Sequence, residues 1–522
     1  MFSKKHRTVS IILAASLTAT ALAACGSATG ETLNSRPVTS ATETAATETS
    51  ASGTAPAPTE TSPETTVEES TYATATETTV ADLEYVRAAY GVTPEMMDSE
   101  FWIDEDDNVI LMTEEEIAQF NYENRVHVKS NDGTEMPFFD EFEETFDGDL
   151  LRLFLNDNAA ALPSNPSNYY LNGSPTTKSY WDNLVALSNI DGVPDEIEVR
   201  YGFTVLRTTL RMYPTEDRVF SSPDDQFFDS ILYSECMPYM PVYVLHESSD
   251  GEYLYVVFDS FAAWVKKDAV ALCSSKEDWL ARQNPGQWLV VTAREIRLGD
   301  DPYVEATKDL VLPMGTRMEL VPASDAPYEI SQRTTYCDYV VKVPTRGSDG
   351  YIKDEYVLIP VSDDVSAGFL PLTSANIIRQ AFKLFGDRYG WGGDLRANDC
   401  TGITREIYRC FGVLLPRVGQ SNSKGIYKVD LSGMSDEEKL AVIEDLAPGS
   451  LISFPGHMTI YLGTVDGVPY VMSAVGTFVA PEGGSDEQIH PRSVVITSLY
   501  VRNKSLNSWL SIATTALTIK PE

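Results

Sequence analysis

Short runs in which apolar and polar residues alternate dominate the middle of the chain. Ile197, Val199 and Tyr201 are separated by Glu198 and Arg200, and related runs cover 242–246, 253–257 and 263–265. Period-two runs broken by Asp, Gly and Ser turns predict short strands closing into a small barrel over 194–275. The pattern returns at 288–292, 317–321, 339–343 and 356–359, which predicts a second barrel over 284–364. From residue 374 the order changes. Residues 374–385 read as an opening helix, with Ser374 as N-cap and Gly386 as its stop. Ile403, Ile407, Tyr408 and Phe411 recur at near-helical spacing, so a second helix begins near Cys400, and residues 414–417 end the helical layer. Four strands follow at 449–454, 457–463, 468–474 and 493–499, with turns at Pro455-Gly456 and Asp466-Gly467. Helices first and antiparallel strands after make the region 374–522 α+β.

The N-terminal third reads differently. Lys4, Lys5 and Arg7 precede an apolar stretch from Val9 to Ala24, the layout of an export leader over 1–24. Leu22, Ala23, Ala24 and Cys25 resemble the lipobox of bacterial lipoproteins, which implies that Cys25 becomes a lipidated first residue. Residues 26–80 hold eight acidic residues, one Arg and almost nothing large and apolar. Such a composition cannot bury enough surface to fold, so 25–81 is expected to be a tether with a reach of about 40 Å. From 82 to 193 the chain is acidic and mixed. Residues 114–121 and 138–146 read as helix starts, and 179–187 as an amphipathic helix. The net charge of -38 argues against nucleic acid or an anionic membrane surface as a partner.

The chemistry concentrates after residue 388. Tyr389, Gly390, Trp391, Gly392 and Gly393 form a glycine-rich loop, followed by Asp399, Cys400, Thr401 and Gly402. A cysteine at a helix start meets partial positive charge and free N–H groups, both of which favour a thiolate. His457 opens a strand 57 residues later. A cysteine on a helix tip with a histidine on a strand edge is the nucleophile-and-base pair of papain-like peptidases.

These motifs, in this order, resemble the NlpC-type cysteine peptidases of bacterial cell walls over roughly residues 374–500. Residues 199–215 further resemble the first SH3-like domain of the multidomain members, which cut the γ-D-glutamyl–diamino acid bond of murein peptides. The resemblance implies a papain-like catalytic domain (374–522) behind two all-β SH3-like barrels and a mainly helical N-terminal cap (82–193). It makes Cys400 the nucleophile and His457 the base, and sets Tyr389 over the site with its hydroxyl toward the oxyanion. It carries Asp399 over as acceptor for the free amine of an N-terminal L-alanine, with Thr401 standing where the family often has serine. Relatives orient the histidine with a third polar residue, usually His and sometimes Asn or Gln. Here that position falls on Ser473, a shorter group with less reach, for which a water can serve as a bridge; His490, in a loop 33 residues past His457, is the less favoured substitute. An inactive, wall-peptide-binding lipoprotein is the alternative reading.

Six cysteines remain to be placed. With Cys25 and Cys400 assigned, Cys236, Cys273, Cys337 and Cys410 are either small buried hydrophobes or, for Cys236 with Cys273, a disulfide. Five histidines, none paired at ligand spacing, give no metal site, and no cofactor is expected. The expected partners are murein peptides and, through lipid, the outer face of the cell membrane. The expected state is a monomer.

Overall fold

The structure, a computed structural model, describes residues 85–521. The leader, Cys25 and the tether lie outside the described residues, among which no helix is long and apolar enough to cross a membrane.

The region expected to form one cap divides between two cores. Residues 85–124 run through three short 3₁₀ turns into helix α1 (Glu114–Glu123), whose start is capped by Thr113. Val92, Met96, Trp102, Met112 and Phe120 bury themselves with Ile377, Tyr470 and Ile519 of the catalytic region. Residues 128–193, with helices α2 (Gly148–Ala160) and α3 (Lys178–Leu187), pack on the first barrel instead. The stretch 138–146 is not a helix start. It makes a 3₁₀ turn at Phe139–Glu141 and a strand at Thr145–Asp147 paired with Glu196–Glu198. Its phenylalanines turn toward the barrel, where Phe142 stacks on Tyr243 at 4.4 Å, and helix α2 starts only at the Asp147 cap.

The first barrel is a seven-stranded antiparallel sheet. Its spatial order is Val270–Leu272, Arg200–Thr204, Pro241–Glu247, Tyr253–Phe258, Phe261–Lys266, Thr208–Arg211 and Leu232–Cys236. Val244, Leu254 and Val256 fill its interior, while Tyr243, Tyr255 and Trp264 face the N-terminal region and α4 (Lys276–Gln283). Burial on both faces explains why Tyr253–Phe258 is apolar at every position rather than alternating. The second barrel has five strands, ordered Ile352–Pro360, Asp338–Arg346, Arg317–Leu320, Trp288–Val291 and Val365–Ala367, around one core.

The last region is α+β, as its pattern predicts. Helix α5 (Ser374–Phe382) is capped by Thr373, whose Oγ1 accepts the Asn376 N–H at 3.1 Å, so Ser374 is the first helical residue rather than the cap. Helix α6 (Cys400–Arg409) lies beside it. The sheet contains β1 (Tyr427–Asp430), β2 (Leu451–Phe454), β3 (His457–Val465), β4 (Val468–Val475), β5 (Ser493–Ser498) and β6 (Thr515–Thr518), in the antiparallel order β1-β6-β2-β3-β4-β5. Four of the six strands follow the sequence pattern. The other two, with α7 (Asp436–Glu444) and α8 (Trp509–Ile512), extend the sheet and its second core beyond it.

Candidate active site

Asp399 starts the site by starting the helix. Its Oδ1 accepts the Gly402 N–H at 2.9 Å, the side-chain cap that ends non-helical backbone and places Cys400 at the first helical position. The loop before it needs its glycines. Gly392 and Gly393 have φ of 61° and 89°, and a Cβ at Gly393 would lie 2.3 Å from Cγ of Glu235 on the first barrel. The loop therefore approaches the barrel closely enough to exclude a side chain.

His457 heads β3, immediately after the left-handed turn at Gly456. Its ring is flanked by Phe454 and Trp509, with centroids at 5.2 and 5.1 Å. Nε2 lies 3.0 Å from the Ser473 hydroxyl on the neighbouring strand β4. The contact is direct, so the serine reaches the ring without a bridging water. His490 is solvent-exposed just beyond the short strand Gln488–Ile489. The Cys400 thiol lies against the backbone N–H of Met458, next to His457. No hydrogen bond joins the thiol to the imidazole among the described residues.

The electrostatics run against the expected thiolate. Burial, reinforced by the Asp399 charge, pushes the Cys400 thiol up to about 12, although the Met458 N–H and Arg417 act the other way. Burial pushes His457 down to about 4. The resting pair is thus a neutral thiol beside a neutral imidazole. The partial charge of a helix start, about half an elementary charge, does not overcome desolvation and an adjoining carboxylate.

Asp399 and Thr401 meet a residue that sequence reading did not single out. The Asp399 carboxylate accepts from Gly402 N–H and Thr401 Oγ1 on one oxygen, and from Gly392 N–H and Arg417 on the other. Arg417 also donates to Thr401 Oγ1 and, through Nε, to Ser234 Oγ of the first barrel at 3.0 Å. A carboxylate offers about four acceptor positions, and here four donors meet them. Asp399, expected to accept a substrate amine, meets these four internal donors in the structure. Tyr389 is buried, with its ring 6.0 Å from Phe228 of the first barrel, which also contacts Trp391 at 5.9 Å. Arg492 holds Asp225 on the same barrel loop through two contacts of 3.1 and 3.2 Å. Phe228, Arg417, Phe454 and Trp509 carry no motif of their own, and only the fold reveals them.

Cys236, Cys273 and Cys410 are buried free thiols, so no disulfide joins the first two. Cys337 is exposed rather than a core residue.

Residues 386–502 match the NlpC/P60 family, and residues 218–266 match the SH3 domain (SH3b1 type). Dipeptidyl-peptidase 6 of Lysinibacillus sphaericus is 22% identical over 280 residues, which is 52% of this chain and 90% of that protein. The structure of an NlpC/P60 endopeptidase from Photobacterium damselae subsp. piscicida superposes with a TM-score of 0.62 at 17% identity, over 81% of this chain and 98% of its own, a likeness of fold. An NlpC/P60 family protein from Bacillus cereus covers 62% of this chain and all of its own at 16% identity, with a TM-score of 0.42.

Proposed function

From a chain that carries an NlpC/P60-family domain together with an SH3b-type domain, we propose a cell-wall cysteine peptidase that hydrolyses the γ-D-glutamyl–diamino acid bond of murein stem peptides. The observation that carries this reading is the convergence of the Cys400 thiol, at the tip of α6, on the head of β3, where His457 is oriented by Ser473. The base must present an unprotonated nitrogen to the thiol. With Nε2–H donating to Ser473 Oγ, the free lone pair lies on Nδ1, and the depressed basicity of the buried ring keeps it neutral at physiological pH.

Nδ1 takes the thiol proton as sulfur attacks the γ-glutamyl carbonyl, so no standing thiolate is needed. The Cys400 N–H, free of intrahelical partners at the helix start, and the Tyr389 hydroxyl are the proposed oxyanion donors. Collapse of the adduct transfers the proton from His457 to the departing amine, and water then cleaves the thioester with His457 as base. A free L-alanine amine, expected from the sequence to pair with Asp399, would share that carboxylate with Arg417 and the three other donors. The chain acts outside the cytoplasm in this reading, anchored by lipid on Cys25.

The test is incubation of the purified protein with L-Ala-γ-D-Glu-diamino acid tripeptide and chromatography of the products. Release of the diamino acid, abolished in Cys400→Ala, is expected. No cleavage by wild-type protein that still binds wall peptides would favour the binding lipoprotein instead. Labelling with radioactive fatty acid, lost in Cys25→Ala, tests the anchor separately.

A further inference from the structure

Three rings meet at the head of β3. The His457 centroid stands 5.2 Å from that of Phe454 and 5.1 Å from that of Trp509, and the two aromatic centroids stand 4.9 Å from each other. In so nearly equilateral a triangle Phe454 and Trp509 lie against one another and cover one side of the imidazole together. Tilted contacts at this separation are a favourable arrangement of aromatic pairs. The two rings arrive by different routes. Phe454 pairs with His457 across the turn at Pro455-Gly456, so it comes with the hairpin itself. Trp509 comes from α8, between β5 and β6, beyond residue 502 where the NlpC/P60 match ends. Its place is fixed by the backbone. The Trp509 N–H donates to the Val501 carbonyl and the Leu510 N–H to that of Leu499, both at 2.9 Å, while Ser508 caps the helix. Lys439 of α7 donates to the Leu510 and Ser511 carbonyls, and both aromatic rings are buried.

Ser473 holds the imidazole by one atom, Nε2. A single hydrogen bond lets a ring pivot about the contact, and a wall against one side limits that motion. The same wall keeps water from the ring, and loss of water disfavours the imidazolium. Strands β2 and β4 and helix α8 bring no acidic or basic side chain to it. Helix α6 brings the Cys400 thiol and the Asp399 carboxylate; the carboxylate favours the imidazolium, yet burial outweighs it. We propose that Trp509 is a positioning residue for the base, walling one side of His457 so that the ring stays dry, neutral and turned with Nδ1 to the Cys400 thiol. It acts through His457 alone. This role rests on the peptidase reading of the site.

The experiment follows isotope-labelled histidine in the full chain by NMR across pH, with the His457 signal identified among the five by its absence in His457→Gln. In wild type the ring is expected to stay neutral from about pH 8 down to about pH 5. Trp509→Leu keeps apolar bulk but opens the wall. It should raise the midpoint to between about 5.5 and the ordinary 6.5, and lower kcat on L-Ala-γ-D-Glu-diamino acid about tenfold with KM within about twofold. The acid limb of kcat/KM should move with the midpoint, which a merely structural role would not do. Trp509→Phe, which keeps a ring on the imidazole, should retain kcat to within about threefold of wild type. Thermal melting checks that each variant folds. A wild-type midpoint near 6.5, or an unmoved midpoint in a folded Trp509→Leu, would overturn the proposal. If Trp509→Leu does not fold, wild type and Trp509→Phe decide, and a Trp509→Phe kcat under about one-tenth of wild type would overturn it, since the wall would still stand. Failure of wild type to cleave the peptide would instead bring down the peptidase reading, while the titration would still show whether Trp509 covers the imidazole.

Discussion

The two barrels, one of seven antiparallel strands and one of five, are attached to the catalytic domain in opposite ways. The first, more distant in sequence, grips α6 and the loop before it with charged groups. Arg207 reaches the Ala397 carbonyl at 3.0 Å, Arg417 reaches Ser234, Arg405 pairs with Asp259, and Arg218 pairs with Asp394. The second barrel, adjoining in sequence, meets the rear of α6 mainly through backbone and apolar contact. Gly315 packs against the Glu406 carbonyl and Arg409, and Met314 enters the catalytic core. Its ion pair to the domain, Arg294 with Asp387 at 2.8 Å, has an Arg side chain that is 56% exposed. One barrel thus forms part of the site's wall, and the other buttresses the helix that carries the nucleophile. Proximity along the chain did not decide which would be which.

That contrast can be broken most forcefully at Arg207. Arg207→Met leaves Glu235 buried without its partner, and removing one member of a buried pair costs about 3–5 kcal/mol. Urea unfolding should show that loss, together with lower kcat/KM; a loss under about 1 kcal/mol would mean that the first barrel is only loosely attached. Ser473→Ala provides a yardstick inside the catalytic domain, away from both barrels. It removes the side-chain hydrogen bond to His457, leaving Phe454 and Trp509 against the ring, and should lower kcat about tenfold, or about 1.4 kcal/mol. A thousandfold loss would make the serine an equal partner of the histidine.

The interface also titrates. Burial raises Glu406 from 4.5 to about 7, with Arg207 and Arg409 opposing and Glu235 adding to the shift. A folded value above the unfolded one means that folding favours the uncharged acid. The stability this confers is full below about 4.5 and is lost as pH rises through 7. Glu406→Gln should therefore leave Tm relative to wild type unchanged at pH 4 and raise it by several degrees at pH 8, a shift from 4.5 to about 7 being worth about 3 kcal/mol. A relative Tm independent of pH would refute the raised value. The smallest effect belongs to the second barrel. Arg294→Ala should alter stability by no more than about 1 kcal/mol and leave kcat/KM as it is.

Much of this was readable from local pattern. Period-two runs locate both barrels, and the residues around Cys400 and His457 announce a helix start and a strand head because caps, turns and alternation are short-range signals. What escaped was whatever depends on distant partners. Ser234 lies 183 positions from Arg417, so nothing local reveals that Asp399 is already occupied. The thiolate expected at Cys400 failed for a related reason. A helix start can be read from the sequence, whereas the protein packed around the sulfur cannot. The 138–146 stretch misled because aromatic residues bound for a neighbouring barrel imitate one helical face.

The N-terminal segment 85–124, which straps across the catalytic domain, bears on the order in which the molecule can be made. The Tyr470 hydroxyl donates to the Gly91 carbonyl across 379 positions at 2.7 Å, and Asn121 donates to the Gly412 carbonyl across 291. Trp102 packs beside Gly463, and its ring lies 5.7 Å from that of Tyr470. Such long closures raise contact order and slow folding. A growing chain exposes Val92, Met96 and Trp102 while both barrels are synthesised, with their destination not yet translated. The catalytic domain is therefore the last unit to complete, and its boundaries cannot be cut at residue 374. A fragment beginning there would present an open groove where the strap belongs.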